Sequence, residues 1–312
     1  MQPLPGGYEL RSAMLDDLVG VAATLLADDL ADVGESHFDA DYVRDQWSAP
    51  GVAPSEDGWV ATDPNGSIIA HALVSPDGEG KLKSWGVVHP EHRGLGIGSA
   101  LLDRMEARAS ERLRGLPGAV LHTAVTDTNT AGTALVRSHG FAHVRTFRHL
   151  RIDLDGSPRD PVDPPPGIEI GGIEPERELR WVHAIFVEAF SGEWGYRVVP
   201  FDEWVGNEVE VPSFDPGLWL LATDGDEAVG ALTGVVWGDR GWVGELGVLA
   251  PWRGRGIASA LLRRAFAAFA SRGLPRVMLN VDSENSTGAV RLYEGVGMRT
   301  ARAWHVYEKR VV

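Results

Sequence analysis

The amino-acid sequence predicts an α/β (α+β) protein built as two tandem units, on three observations. One order of strand and helix patterns runs through the chain twice. In each run an apolar stretch leads into an arginine-headed glycine turn and then a helical pattern. The turns are Arg93-Gly94-Leu95-Gly96-Ile97-Gly98, after residues 85–88, and Arg253-Gly254-Arg255-Gly256-Ile257-Ala258, after residues 242–249. Between the runs, residues 155–167 carry Pro158, Pro161, Pro164, Pro165 and Pro166. Neither a helix nor an inner strand tolerates such a segment, so it reads as a semi-rigid linker. A chain of 312 residues is long for one core and suits two domains of roughly 150 residues each. The expected divisions are 1–154, the linker 155–167, and 168–312.

In the first unit, residues 8–13 form a strand. Asp16 and Asp17 precede an apolar-periodic helix over 18–30, with acidic residues favourable near its start. A second helix follows over 38–47. Strands 58–62 and 68–74 flank the turn Asp63-Pro64-Asn65-Gly66. Strand 81–88 leads into the first glycine turn. Leu101, Leu102, Met105, Ala109 and Leu113 then fall at helical spacing. Strand 119–125, a helix over 130–138 closed by Gly140, and strand 147–154 complete the unit. The second unit repeats the series: strand 168–173, helices 177–190 and 201–209, strands 218–223 and 228–237, and strand 242–249 before its glycine turn. A helix to 270, strand 276–281, helix 287–294 and strand 303–310 follow. The chain is an internal duplication.

Composition narrows the function classes. The net charge of −15 argues against nucleic acid as a partner, since a phosphate backbone needs a basic face. It suits a cationic substrate and equally an ordinary acidic surface. There are no cysteines, which excludes disulfides, thiolate metal sites and a cysteine nucleophile; no metal is expected. No apolar run approaches the roughly 20 residues of a membrane span, and residues 1–7 have no secretory pattern. The expectation is a cytoplasmic protein with no membrane partner. Lysine stands only at Lys81, Lys83 and Lys309, and Ala, Gly, Asp and Arg abound, which suggests a GC-rich bacterial genome.

The glycine turns carry the chemistry. Glycine lets backbone N–H groups converge, and the helix start adds unpaired N–H groups and the positive end of its dipole. Together these form a phosphate or pyrophosphate cradle. The spacing is neither G-x-G-x-x-G nor Gly-Lys-Ser/Thr. It resembles the R/Q-x-x-G-x-G/A loop of the GCN5-related N-acetyltransferases, with Arg253, Gly256 and Ala258 filling the pattern in one unit and Arg93, Gly96 and Gly98 in the other. The order of elements resembles that family over nearly the whole chain, twice. The resemblance implies a mixed, mostly antiparallel sheet in each unit, whose fourth and fifth strands run parallel and splay apart to admit an acyl-CoA thioester. It also implies acetyl-CoA as the cofactor, an N-acetyltransferase activity and a small-molecule amine as acceptor. The alternatives are acetylation of protein N-termini and a non-catalytic acyl-CoA sensor. A monomer and a homodimer remain open.

Acetyl transfer from a thioester needs a grip on CoA, a polarised carbonyl, a deprotonated amine and a protonated leaving thiolate. The resemblance implies that residues 253–258 grip the pyrophosphate and that a backbone N–H at Val248 or Leu249, with Val88 its counterpart, polarises the carbonyl. The family's second motif reads Asn285 … Leu292-Tyr293-Glu294-Gly295-Val296-Gly297-Met298. It implies that Asn285 holds the pantetheine arm and that Tyr293 is the general acid. Tyrosine, with an ordinary pKa near 10, is protonated at neutral pH. Aligning Gly140 with Gly297 places Val136 where Tyr293 stands, so the first unit keeps the loop and lacks the acid. His139 nearby fits a helix C-terminus. Glu245, three residues before Val248, is the candidate base; its counterpart is Trp85. A solvated polar residue is the competing reading, and Asp282 a weaker rival. Glu193, Trp194 and Tyr196 join aromatic faces to a carboxylate and are candidates to receive a cationic acceptor; plain packing of the aromatics is the competing reading. Both loops are intact, which predicts two acetyl-CoA sites per chain.

Overall fold

The computed structural model describes residues 4–32, 34, 36, 39–154, 163–285 and 287–311. Residues 155–162 of the expected linker lie outside the described residues. The chain divides into two compact units, residues 1–146 with 302–312, and residues 147–301. No described helix is long and apolar enough to cross a membrane.

The first unit opens with β1 (Glu9–Ser12), α1 (Leu18–Asp32), α2 (Ala40–Trp47) and α3 (Pro54–Asp57). It continues through β2 (Gly58–Thr62), β3 (Ile68–Pro76), β4 (Lys81–Val88), α4 (Ile97–Arg112), β5 (Val120–Thr126) and α5 (Thr130–Ser138). Local chemistry sets the boundaries. The Asp39 side chain accepts the Tyr42 N–H and starts α2, and Asn129 Oδ1 accepts the Gly132 N–H at 2.7 Å and starts α5. Asp63 Oδ1 accepts the N–H groups of Asn65 and Ser67, turning β2 into β3. The four residues of α3 are too short to leave a periodic signal. β1 to β4 pair antiparallel in order. β4 and β5 pair in parallel from Lys81–Val120 to Ser84–Thr123, where the ladder ends.

The second unit holds β7 (Ile168–Gly172), α6 (Pro175–Phe190), α7 (Phe201–Glu208), β8 (Leu220–Asp224), β9 (Glu227–Trp237) and β10 (Arg240–Val248). Then come α8 (Ile257–Ser271), β11 (Arg276–Asp282) and α9 (Ala289–Gly295). β7 to β10 are antiparallel, and β10 pairs in parallel with β11 only over Gly241–Val243 and Val277–Leu279. The mixed sheet with parallel, splaying fourth and fifth strands is therefore present in both units. Two buried clusters lie on the second unit's sheet. One joins Leu261, Leu262, Phe266 and Phe269 of α8 to Val229, Leu232, Val243 and Leu279. The other joins Val182, Ile185 and Phe186 of α6 and Trp204 of α7 to Trp219, Leu221 and Ala231.

The linear division of domains is corrected at two strands. β6 (Ala142–Asp153) enters the second unit at Phe147 and pairs there with β11, from Phe147–Asp282 to Asp153–Arg276. β12 (Arg299–Arg310) returns to the first unit at Arg302 and pairs with β5, from Trp304–Thr126 to Arg310–Val120. Residues 147–154 thus complete the second unit's sheet and 302–312 the first. Each strand is anchored by burial. Leu150 and Ile152 join the second unit's core. Tyr307 joins the first, with Leu82, Leu101, Val136 and Phe141. Polar groups add register: His122 of β5 lies 2.8 Å from Asp77 and 3.0 Å from Glu308 of β12, and Lys309 donates to Glu106 at 2.7 Å. Tyr307→Ala is expected to destabilise the first unit by about 3–5 kcal/mol, as buried aromatic truncations do. Hydrogen exchange should show lost protection of β5 amides with β11 amides unchanged. The reverse pattern would return β12 to the second unit.

Candidate active site

The glycine turn before α8 has the backbone that its sequence demands. Gly254 and Gly256 sit at φ +77° and +88°, in the left-handed region that costs other residues about 1–2 kcal/mol. Space is not the constraint: a Cβ at Gly254 meets nothing within 4 Å, and one at Gly256 meets only Pro165 at 3.7 Å. The Ala260 N–H bonds back to Gly256 O at 3.0 Å, so the N–H groups of Ile257, Ala258 and Ser259 precede the intrahelical ladder and are open to an anion. The first unit repeats this, with Gly94 and Gly96 at φ +80° and +81° and the Ala100 N–H on Gly96 O. That places Leu95, Ile97 and Gly98 as their counterparts stand in the second. Both cradles fit a pyrophosphate.

The two arginines differ. Arg253 Nε donates to Val248 O at 2.9 Å, and the exposed side chain forms no ion pair among the described residues. Arg255 lies 3.8 Å from Asp224 and is also exposed. Arg93 makes the matching bond to Val88 O at 3.4 Å, but its terminal nitrogens are held by Asp28 at 2.6 Å and Asp32 at 2.9 Å. Both carboxylates come from α1, one helical turn apart. Burial pushes Asp28 up to about 6 even against Arg93. An incoming pyrophosphate must compete with two carboxylates at the first loop and with none at Arg253.

Where β10 leaves β11, the ladder fixes which amide faces the gap. The Leu249 N–H bonds to Val229 O at 3.0 Å. Successive residues of an antiparallel strand turn their N–H groups to opposite sides, so Val248 turns its N–H toward the splay and Leu249 does not. The first unit has the same arrangement, with the His89 N–H on Ile69 O and Val88 facing the gap.

Glu245 lies in an irregularity that β4 lacks. The register of β10 against β9 shifts between Val243 and Leu246, so Thr233 faces both Gly244 and Glu245 as in a bulge. Its Oγ1 accepts the Glu245 N–H at 2.9 Å. Burial, then the charge of Glu208, push the Glu245 carboxyl up to about 7. Trp204 of α7 acts in the opposite sense on that carboxyl, lowering it. The Tyr196 hydroxyl is raised by burial and by Glu245, and its ring lies 5.7 Å from Phe190. The Trp194 ring lies 6.0 Å from Phe147 of β6. Glu193 makes no side-chain hydrogen bond or ion pair among the described residues. In the first unit the pairing is regular: Trp85 opposes Leu73 and its ring meets Tyr42 and His71. Sequence reading missed Thr233, Glu208 and Phe147. Only for Glu208 was there a signal, its spacing four residues after Trp204.

Tyr293 on α9 is buried in one cluster with Val248, Leu279 and Val281, and burial pushes its hydroxyl up to about 12. Val136 is buried at the matching place in the first unit. His139 ends α5 with Nδ1 3.2 Å from Glu106, a half-buried pair. Asn285 Oδ1 accepts the Thr287 N–H at 2.7 Å, so this side chain shapes the turn before α9. Asp282 does the same for the Glu284 N–H at 2.8 Å, a turn role.

Two anion cradles at splayed sheets, one beside a raised carboxyl and a buried tyrosine, fit a group-transfer enzyme. The sequence profile of the acetyltransferase (GNAT) family matches residues 22–141 and 179–298, and the chain belongs to that family. It is a tandem member and an acyltransferase of the N-acetyltransferase class. It is similar to the mycothiol acetyltransferase of Thermomonospora curvata, 34% identical over 235 residues that cover 73% of each chain. That of Clavibacter michiganensis subsp. michiganensis is 31% identical over 240 residues, covering 74% of this chain and 73% of its own. Among solved structures, a GCN5-related N-acetyltransferase from Sphaerobacter thermophilus superposes with a TM-score of 0.86 at 30% identity, covering 98% of this chain and 96% of that one. A tandem GNAT protein from the clavulanic acid biosynthesis pathway shares the fold at TM-score 0.71 and 17% identity, covering 97% and 98%.

Proposed function

We propose that the chain transfers an acetyl group from acetyl-CoA to the amine of a small molecule, that the second unit performs the chemistry, and that the protein works in the cytoplasm as a monomer or homodimer. The observation that carries this reading is the bulge that sets Glu245, its carboxyl raised by burial, on the strand that parts from β11. Acetyl-CoA supplies the activated thioester, held at its pyrophosphate by the 253–258 backbone, with Asn285 shaping the turn beside its arm. Glu245 accepts the proton of the entering ammonium and leaves a nucleophilic nitrogen. The Val248 N–H donates to the carbonyl oxygen as negative charge gathers there. As the C–N bond forms and the C–S bond breaks, Tyr293 gives its proton to the departing sulfur, and the surplus proton of the acetylated nitrogen restores the Tyr293 phenol. Trp194 and Tyr196 form the acceptor's aromatic wall, with Glu193 at its entrance. The relatives' name makes the mycothiol-forming acetylation the first acceptor reaction to assay, by thiol release from acetyl-CoA. Absence of acceptor-dependent thiol release across a broad amine panel would favour a sensor.

The two loops should bind acetyl-CoA unequally. Gly256→Asp forces a side chain to φ +88° and adds a negative charge, so calorimetry should show loss of the tighter site. The double change Asp28→Asn and Asp32→Asn frees Arg93 and should tighten the weaker site by about tenfold, on the scale of one charge-assisted hydrogen bond. Equal sites in the wild-type protein, unmoved by the double change, would refute the competition.

A further inference from the structure

His122 of β5 is buried, and a carboxylate stands at each of its ring nitrogens: Asp77 lies 2.8 Å from Nδ1 and Glu308 3.0 Å from Nε2. An ionised carboxylate only accepts hydrogen bonds. Both ring nitrogens must therefore carry protons, and the geometry calls for the imidazolium. A neutral ring has one N–H, so its other nitrogen would turn a lone pair on a carboxylate at hydrogen-bond distance. The three side chains come from distant parts of the first unit. Asp77 follows β3, His122 lies on β5, and Glu308 lies on β12, 186 positions after His122. His122 pairs with Lys83 one step before the β4–β5 ladder ends at Ser84–Thr123, and the Ser84 hydroxyl donates to His122 O at 3.0 Å. The ring thus ties three elements together at the foot of the first unit's splay. Lys81 and Lys83 on β4 and Arg310 on β12 share this face of the sheet by register, and Glu79 stands in the β3–β4 turn. All four are exposed, and none makes a side-chain hydrogen bond or ion pair among the described residues. Lys309 and His139 meet Glu106 on the opposite face. Among the described residues, His122 is therefore the one cation bonded to Asp77 or Glu308.

We propose that His122 is a pH-sensitive latch: as the imidazolium it fastens both β12 and the β3–β4 turn to β5, and on losing its proton it lets go of one of them, so that the first unit's sheet loosens as pH rises. The inference is independent of the acetyltransferase reading. The bond to Asp77, opposed by burial and joined by the bond to Glu308, raises the ring above the ordinary histidine value of about 6.5. A group raised on folding contributes its full stability below the unfolded value and loses it as pH rises through the folded one. The latch is therefore closed at pH 6 and opens on the alkaline side. Asp28 of the same unit, pushed up to about 6 by burial, adds a pH dependence of its own, so the latch is read as a difference between wild-type protein and a variant at His122.

The test uses the full chain. Nitrogen NMR of the wild-type imidazole, assigned by its loss in His122→Gln, should show both ring nitrogens protonated at pH 7 and a titration above that of an ordinary histidine. A ring with one protonated nitrogen at pH 7 would overturn the proposal. Hydrogen exchange, corrected for the intrinsic effect of pH on amides, reads the release. From pH 6 to pH 9 the protection of β5 and β12 amides should fall about tenfold further in the wild-type protein than in His122→Gln, the scale of one hydrogen bond to a charged group. Amides of β11, in the second unit, should respond to pH alike in both proteins. Glu308→Gln keeps an acceptor and removes a charge, so it should lower the ring's titration and flatten the pH response of β12. Should His122→Gln fail to fold, Glu308→Gln takes its place in both the assignment and the comparison. Equal pH responses of β12 in the wild-type protein and the variant would refute the latch, even with a charged ring.

Discussion

Tyr293→Phe is expected to lower kcat by roughly 10²–10⁴-fold, the range for a lost general acid, and to leave acetyl-CoA affinity nearly unchanged. The change removes one oxygen from a ring that stays buried with Val248, Leu279 and Val281, so packing and the Gly254–Gly256 cradle are retained. Burial holds the hydroxyl near 12. The proton is therefore present at every working pH, and no alkaline limb should arise from this group below that value. A phenol so weak would be a poor donor to a thiolate in water. In a dry site burial also disfavours the thiolate, so the two proton affinities approach each other as the C–S bond breaks. If departure of sulfur does not limit turnover, the loss falls at the low end of the range. Steady-state kinetics with the best acceptor, together with calorimetry, measure both quantities. Full activity in Tyr293→Phe, combined with loss on disrupting the first loop by Arg93→Ala, would move the chemistry to the first unit.

Glu245→Gln should lower kcat/KM at pH 7 by roughly 10²–10³-fold, within the range for general-base catalysis, and should flatten the pH profile. The sign follows from the carboxyl, which burial and Glu208 raise to about 7. It must be deprotonated to act, so wild-type activity rises as pH increases through about 7. The variant has no such group, and its deficit narrows at high pH as more of the amine is already neutral. Stability moves the other way. A carboxyl whose folded value lies above its unfolded one stabilises the fold at low pH and loses that contribution as pH rises through about 7. Removing the charge should leave the protein at least as stable at pH 8, so thermal unfolding separates catalysis from misfolding. A variant that keeps the wild-type profile would exclude Glu245 as base.

The sequence determined those parts whose chemistry is local. Gly254 and Gly256 were legible because a positive φ selects glycine wherever the chain goes next. The duplicated order of elements, the Asp63–Gly66 turn and the Val136-for-Tyr293 replacement were legible for the same reason, since each is settled within a few residues. Tertiary structure alone decided what depends on distant partners. β6 and β12 are each twelve residues long with a few buried positions, and burial does not name the neighbouring strand. Only packing placed Leu150 against β11's core and Tyr307 in the first unit's core. Arg93 meets Asp28 and Asp32 from 65 and 61 positions away, so an intact loop motif looked alike in both units although the charge on one is already answered. Glu245 and Trp85 occupy matching positions, yet the extra residue of the bulge exists only where Thr233 takes the Glu245 N–H. A strand pattern encodes which face a side chain occupies; a bulge is a mismatch between two strands, and a single strand does not carry it.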